Sequence, residues 1–279
     1  MMEASFTQHP VARAELKHQW HVIETSRSGP IWVWTAYILL VPALLISVVA
    51  LFVTLIFTAR ALDVPNFPHI PQPALNLGVL YLLGINVAMT LVVTLVTLAL
   101  AANSINREKR RGTWDMLLLT NVNARQLIWG KWWATLGAMG WDHGVLYVLR
   151  LGPLALAGLF MLIYVMIRIE PFPELGQMPL FLPFALVPLL LAVFTLLDAA
   201  LTAALGVLIP MLPLEGAAAF LLGLGLRLLL SIILVPLCVA LLVLTQANSS
   251  VAMLLLTLAL AALWAGLTWG VLRLAQHFA

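Results

Sequence analysis

Charge is what this sequence most conspicuously lacks. Asp, Glu, Lys and Arg make up 9% of its 279 residues, against about 25% in soluble domains. Fourteen Lys and Arg with eleven Asp and Glu cannot clothe a water-facing shell on a chain of this length. That excludes an ordinary cytosolic enzyme, and the scarcity of charge equally excludes a disordered chain. Cysteine is nearly missing too. Cys238 stands alone, so no internal disulfide scaffold is possible. Three groups of chemical motif are also absent. There is no Gly-x-x-x-x-Gly-Lys-Ser/Thr phosphate loop, so the chain cannot hold ATP in that way. There is no His-Glu-x-x-His and no Gly-x-Ser-x-Gly, and no Glu-Glu pair sits in an apolar run, which removes the usual signatures of an intramembrane protease or lipid transferase.

What is present is apolar. Hydrophobic residues reach 63% and the mean hydropathy is +1.07. A membrane-spanning helix needs about 20 apolar residues, and six runs of that kind can be drawn: 31–58, 77–102, 151–167, 180–209, 216–245 and 251–272. Only Asp198 interrupts the fourth run and only Arg227 the fifth. Backbone groups in lipid must be satisfied within the segment, and the runs lack two-residue alternation. The fold class is therefore an all-α integral membrane protein rather than a β-barrel. With six spans and both termini in the cytoplasm, all of the fourteen Lys and Arg except Arg60 and Arg168 fall on or near one side, as the positive-inside rule requires. Trp32, Trp34 and Tyr37 open the first span as an interfacial aromatic belt would. Residues 1–30 are polar and mixed in charge, so no cleavable leader is expected. The whole of 1–279 reads as one transmembrane domain, with a proline-rich, extended outer loop over Asp63–Pro73.

Within 124–150, the stretch Trp132–Leu149 is fairly apolar but carries Asp142 and His143. A seventh span there would weaken the charge bias, so it is expected as a helix on or dipping into the cytoplasmic face, with the third span starting at Leu151. Asp142-His143 could suggest acid–base chemistry. A local partner for Asp142 and a solvated or interfacial His143 are the simpler reading, and no catalytic residue is assigned.

Ahead of the first span, Val11–Glu24 carries Leu16, Trp20 and Ile23 at i, i+4, i+7, the pattern of an amphipathic helix lying at the interface. Glu15, His18 and His21 share its other spacing. Without further ligands nearby this reads as a polar face, and no metal site is assigned.

The segment after the second run, NREKRRGTWDMLLLTNVN from Asn106 to Asn123, holds the most information. Five charges, Arg107–Arg111, lead into Gly112-Thr113, with Thr113 placed to cap a short helix carrying Trp114, Leu117 and Leu118 on one side. A bare charge run anchors on anionic lipid, which does not explain an apolar-faced helix directly behind it. Such a helix either lies on lipid or docks into a partner's groove. Nucleic acid is excluded as a partner, because the cluster sits within a few residues of the membrane with no soluble domain to present it.

The string REKRRGTWDMLLLT (107–120), followed by Arg125-Gln126-Leu127 and Gly130-Lys131, resembles the ABC-2 type permeases of ABC transporters. Those commonly read as an acidic–basic cluster, Gly-Thr, an acid, a leucine run and Thr, then Arg-x-Leu and Gly-Lys. The start of the chain, from Pro10 through Glu15-Leu16, is similar as well. The specific part of the likeness covers 103–132, within a cytoplasmic coupling region 103–150; in outline it covers most of the chain. The resemblance implies a coupling helix between spans two and three, seated in a cleft of a separate ATP-binding subunit, with ATP and Mg held there. Carried over, Arg107, Glu108, Arg110, Arg111, Gly112, Thr113, Trp114 and Asp115 form the contact, with Trp114 and Leu118 as its anchor. Trp114 departs from the family, which often has a smaller aliphatic residue there. Six spans are half of the usual complement, which implies pairing with a second permease subunit, identical or not. Export across a cell membrane, of the prokaryotic plasma-membrane kind, is the implied activity, with membrane lipids as the surroundings. A membrane anchor recruiting a soluble partner is the main alternative, and an intramembrane enzyme a weaker one.

Inside the spans, Asp198 lies 11 residues before Ile209 and Arg227 lies 11 residues after Gly216. Antiparallel helices leaving one cytoplasmic turn, 210–215, place both at about 16 Å from it. An intramembrane ion pair is expected, or two groups facing one polar cavity.

Overall fold

In a computed structural model, the residues described are 10–27, 34, 36–60, 72–114, 116, 123–168, 181–212, 218–232 and 250–279. Among them there is helix and no strand. The elements are α1 (Pro10–Arg27), a π-helical turn Ala36–Leu40 leading into α2 (Val41–Arg60), α3 (Gln72–Arg110), α4 (Ala124–Arg168), α5 (Phe181–Leu208), α6 (Ala218–Ile232) and α7 (Ser250–Phe278). A 3-10 turn, Ile209–Met211, closes α5.

Three stretches are long and apolar enough to cross a membrane: Leu77–Arg110, Pro188–Met211 and Leu258–Phe278. Ile38–Val53 and Ala218–Ile232 are shorter apolar helices. The expected runs 31–58 and 216–245 extend into residues outside those described, as do the outer loop over 63–71 and the turn over 213–217, while the run 151–167 lies inside α4. One boundary differs from expectation. The chain does not break at Arg150 between an interfacial helix and a span. Residues 124–168 form one helix of 45 residues, with Pro153 inside it. Pro153 removes a single N–H from the ladder, and the apolar residues on either side keep the helix going.

The chain divides into two compact units. One comprises 1–26, 92–143 and 193–279; the other comprises 27–91 and 144–192. In the second, Ala43 and Ala50 of α2, Leu82 of α3 and Leu149, Ala155 and Leu156 of α4 form a buried cluster. Tyr81 donates to the Leu39 carbonyl in the π-helical turn (3.0 Å) and Tyr147 to the Pro188 carbonyl (3.1 Å).

The first unit holds the larger core. Ala101 and Ile105 of α3, Leu127, Ile128 and Trp132 of α4, Ala203, Ala204 and Val207 of α5, and Leu272 and Ala275 of α7 pack together. Small residues set how closely these helices approach. A Cβ placed on Gly206 would stand 2.6 Å from the Ala101 Cβ and 3.0 Å from the Leu98 carbonyl oxygen, so α3 and α5 touch backbone to backbone here. Trp132 Nε1 donates to the Ala200 carbonyl (2.9 Å) and Trp132 meets Trp129 edge to face at 5.3 Å.

Hydroxyl groups inside the bundle are satisfied locally. Ser47, Thr97, Thr135, Thr202 and Thr268 each donate to the carbonyl four residues earlier, at 2.7–3.0 Å. This is how a hydroxyl is buried without a water partner. The outer faces are the reverse of a soluble protein's: Phe52, Leu77, Leu80, Val87, Leu189, Leu196, Leu221 and Ile232 are all exposed, as suits a hydrocarbon solvent.

Candidate functional site

α3 carries its apolar residues up to Ala102 and then runs on through the charge cluster, so Arg107, Lys109 and Arg110 form its last turn. Cations at a helix C-terminus complement the macrodipole. The helix stops where Gly112 takes a left-handed conformation (φ 66°), with the Arg111 N–H donating to the Arg107 carbonyl and the Gly112 N–H to the Lys109 carbonyl, both at 3.1 Å. A residue with a Cβ is disfavoured at that position.

The turn is fastened from several sides. Thr113 Oγ1 donates to Glu108 Oε2 at 2.5 Å and to the Glu108 carbonyl at 3.3 Å. Its hydroxyl therefore ties back to the helix just ended; most of the segment it is expected to cap lies outside the described residues. Lys109 Nζ donates to the Pro210 carbonyl (2.6 Å), which joins the end of α3 to the 3-10 turn closing α5. Trp114 is 7% exposed and belongs to the chain's own core with Ile105, Leu127 and Leu208. Little of its surface is open outside this chain. The groups left outside are Lys109, Arg110, Arg111 and Gly112, with Met116 exposed at 66%. Asp115 and Leu118 lie outside the described residues.

Behind the turn sits a buried ion network that the sequence alone does not assemble. Glu15 of α1 is 5% exposed and Lys131 of α4 is 2% exposed. Glu15 Oε2 accepts from Arg107 Nη2 at 2.7 Å and from Lys131 Nζ at 3.2 Å. Lys131 Nζ also donates to the Ser104 carbonyl (3.1 Å) and to Ser104 Oγ (2.9 Å), so all three of its protons have acceptors. Gln19 Nε2 donates to Glu15 Oε1 and to Thr135 Oγ1, both at 3.2 Å. Arg107 Nη2 reaches Glu108 Oε1 at 3.4 Å. Two carboxylates thus balance two cations. Burial pushes the Glu15 carboxyl up, but the charges of Lys131 and Arg107 outweigh it and hold it below the usual carboxylate range. Burial pulls the Lys131 ammonium below the ordinary lysine range, against the pull of Glu15 and Glu108.

This network corrects the reading of α1. Its inward stripe is Ala12, Glu15, Gln19 and Ile23, while Leu16 is half-buried and Trp20 is exposed. Glu15 is engaged by cations, and His18 and His21 are exposed. Among the described residues no group of three or more His, Cys, Asp or Glu could hold a metal. His143 is buried rather than solvated, with Nε2 3.4 Å from Thr97 Oγ1; Asp142 beside it is half-buried.

Asp198 and Arg227 are brought together. Arg227 of α6 is 3% exposed and its Nη2 donates to Asp198 Oδ1 of α5. Arg227 Nε donates to Thr202 Oγ1 (2.9 Å) and Nη1 to Ser231 Oγ (2.6 Å). The guanidinium is spread over three acceptors, which makes this cluster a staple between two helices.

Comparison with protein-family models, with curated proteins and with solved structures finds no match to this chain.

Three outcomes are expected. Lys131→Met leaves the buried Glu15 carboxylate with Arg107 as its one cation and strands the Ser104 acceptors; it should cost about 3 kcal/mol, read as a lowered Tm in detergent, whereas Lys131→Met with Glu15→Gln should recover part of the loss. Because the folded value of Glu15 is lowered, its contribution is complete above the ordinary glutamate value of about 4.3 and fades as pH falls through the folded value. Melting curves on the acid side should show this slope in the wild type and a shallower one in Glu15→Gln. For the second pair, Arg227→Met alone should lower Tm more than Arg227→Met with Asp198→Asn; equal losses would deny that the two groups form a unit.

Proposed function

We propose that this chain is the membrane-spanning permease subunit of an ABC-2 type ABC transporter. In this reading it has six spans with both termini in the cytoplasm. A separate ATP-hydrolysing subunit, carrying the ATP and Mg, docks on the turn that ends α3, and a second permease subunit completes the complement. Export is the direction the sequence resemblance implies.

One observation carries the reading: an exposed basic tip that is fastened to several helices. Arg110, Arg111 and Met116 face outward. Directly beneath them, Trp114 is set in the core, Lys109 is bonded to the end of α5, and Arg107 is joined through Glu15 to α1 and Lys131 of α4. A tip wired in this way transmits a displacement, whereas a loose loop absorbs it. A charge run serving only as a lipid anchor has no need of such fastening. The docking contact is therefore Arg110, Arg111 and Met116 for orientation and apolar grip. Trp114 acts inside the chain, as the strut behind the contact.

The test is to look for an ATP-binding-cassette subunit in the neighbouring reading frames and to measure its co-purification and ATPase activity with this chain. Arg110→Glu with Arg111→Glu should lose the complex while the isolated chain keeps its Tm. Trp114→Ala should lower the Tm of the isolated chain, by the equivalent of about 3 kcal/mol or more. A complex of wild-type strength and activity in the double glutamate variant rejects docking at this turn. A partner that binds but whose hydrolysis is unaffected by the chain makes it a scaffold instead.

A further inference from the structure

Between α1 and the last turns of α3 lies an open groove of about 340 Å³, lined by Arg107, Arg110 and Arg111, by His18, and by Asn103 and Asn106. Its polarity is graded. Lys131 and Thr135, one turn apart on α4, meet Glu15 and Gln19, one turn apart on α1, so these two helices run the same way. Lys131 meets Ser104 and His143 meets Thr97, so α3 runs against them. It follows that Val22 of α1 and Leu100 of α3, the apolar members of the lining, stand toward one end, the end at which α3 becomes a membrane helix. The guanidinium groups stand toward the other.

The charges are also unequal in what they are free to do. Arg107 is held by Glu15 and Glu108. Arg110 and Arg111 are exposed and, among the described residues, form no ion pair. Burial, then the positive charges of Arg107 and Arg111, hold the His18 imidazolium below its ordinary value, with Glu15 opposing. The groove is thus a positively biased site, with Glu15 in its lining already engaged by Arg107 and Lys131, amide donors from two asparagines, and an apolar end toward the apolar part of α3.

We propose that, while no partner subunit is docked on the turn, this groove binds the phosphate group of an anionic phospholipid, with Arg110, Arg111 and Asn106 around the phosphate and Val22 and Leu100 along the first carbons of the acyl chain, so that lipid and a docked partner compete for Arg110 and Arg111. A phosphodiester flanked by guanidinium forks gains charge-assisted hydrogen bonds, and basic pockets beside membrane helices suit such headgroups. A free phosphate shares the polar half of this chemistry but has no use for the apolar end.

The test is a native mass-spectrometric titration of the delipidated, detergent-solubilised chain with phosphatidylglycerol, phosphatidylcholine and inorganic phosphate. It contains no ATP-hydrolysing subunit, so its outcome is independent of the docking proposed above. Phosphatidylglycerol should be retained one per chain and phosphatidylcholine should not. Arg110→Gln with Arg111→Gln should weaken retention about tenfold or more without changing Tm, while Arg125→Gln, an exposed arginine outside the groove, should leave it unchanged. Val22→Asn, which removes apolar surface without adding charge, separates the two phosphate sources: it should weaken the lipid and spare inorganic phosphate. Inorganic phosphate that displaces the lipid, together with a silent Val22→Asn, keeps the phosphate site and assigns it to a free anion, which overturns the lipid. Equal binding by the double glutamine variant, equal retention of phosphatidylcholine, or an equal loss in Arg125→Gln overturns the proposal as a whole.

Discussion

The first unit depends on where one ammonium group ends. Lys131 sits among tryptophans on α4, 2% exposed, and a charge buried there is tolerable only if every proton finds an acceptor and its charge is balanced. Ser104 supplies two acceptors from α3 and Glu15 supplies the balancing carboxylate from α1. Three helices distant in sequence are thereby required to meet at one point. Apolar contacts among leucines would permit sliding; this set of hydrogen bonds does not. The position of α1 against the bundle, the groove beside it and the bracing of the α3 turn all follow from that requirement.

The same requirement explains why the basic turn is tied down although it is exposed. Arg107 answers to Glu15, Glu108 answers to Arg107 and Thr113, and Lys109 answers to the carbonyl of Pro210. Gly112 then lets the chain reverse without strain. Surface ion pairs are individually weak, but these are partly buried and chained together, and the buried members hold the exposed ones in place.

The sequence discloses some of this and conceals the rest for definite reasons. Hydropathy suffices for an all-helical membrane chain, since long apolar runs have few alternatives in lipid. The meeting of Asp198 with Arg227 can be reasoned out because both are lone charges in apolar runs and the connecting turn is short, so their depths can be counted. Lys131 and Glu15 offer no such count. They are separated by 116 residues, Lys131 is one of fourteen basic residues, and nothing local distinguishes a buried lysine from one that anchors at the interface. A weak signal did exist in α1, where Glu15 and Gln19 share a face with Ala12 and Ile23. The apolar spacing of Leu16, Trp20 and Ile23 points to a different face, and helical periodicity alone cannot say which of two faces a charged partner will claim. Trp114 misleads in the same way: an aromatic next to a charge run suits a docking anchor and a core residue equally, and only the neighbours supplied by α4 and α5 decide.

The Arg227 cluster bears on how the chain is made. An arginine or aspartate at the centre of a lone helix opposes insertion by about 2.5–3.5 kcal/mol. In the folded chain Arg227 is fully engaged by Asp198, Thr202 and Ser231, and two of those three lie on α5. An α6 parted from α5 keeps only the Ser231 hydroxyl for that guanidinium. If both helices span the membrane as proposed, the least costly order is for them to pair before either charge meets hydrocarbon.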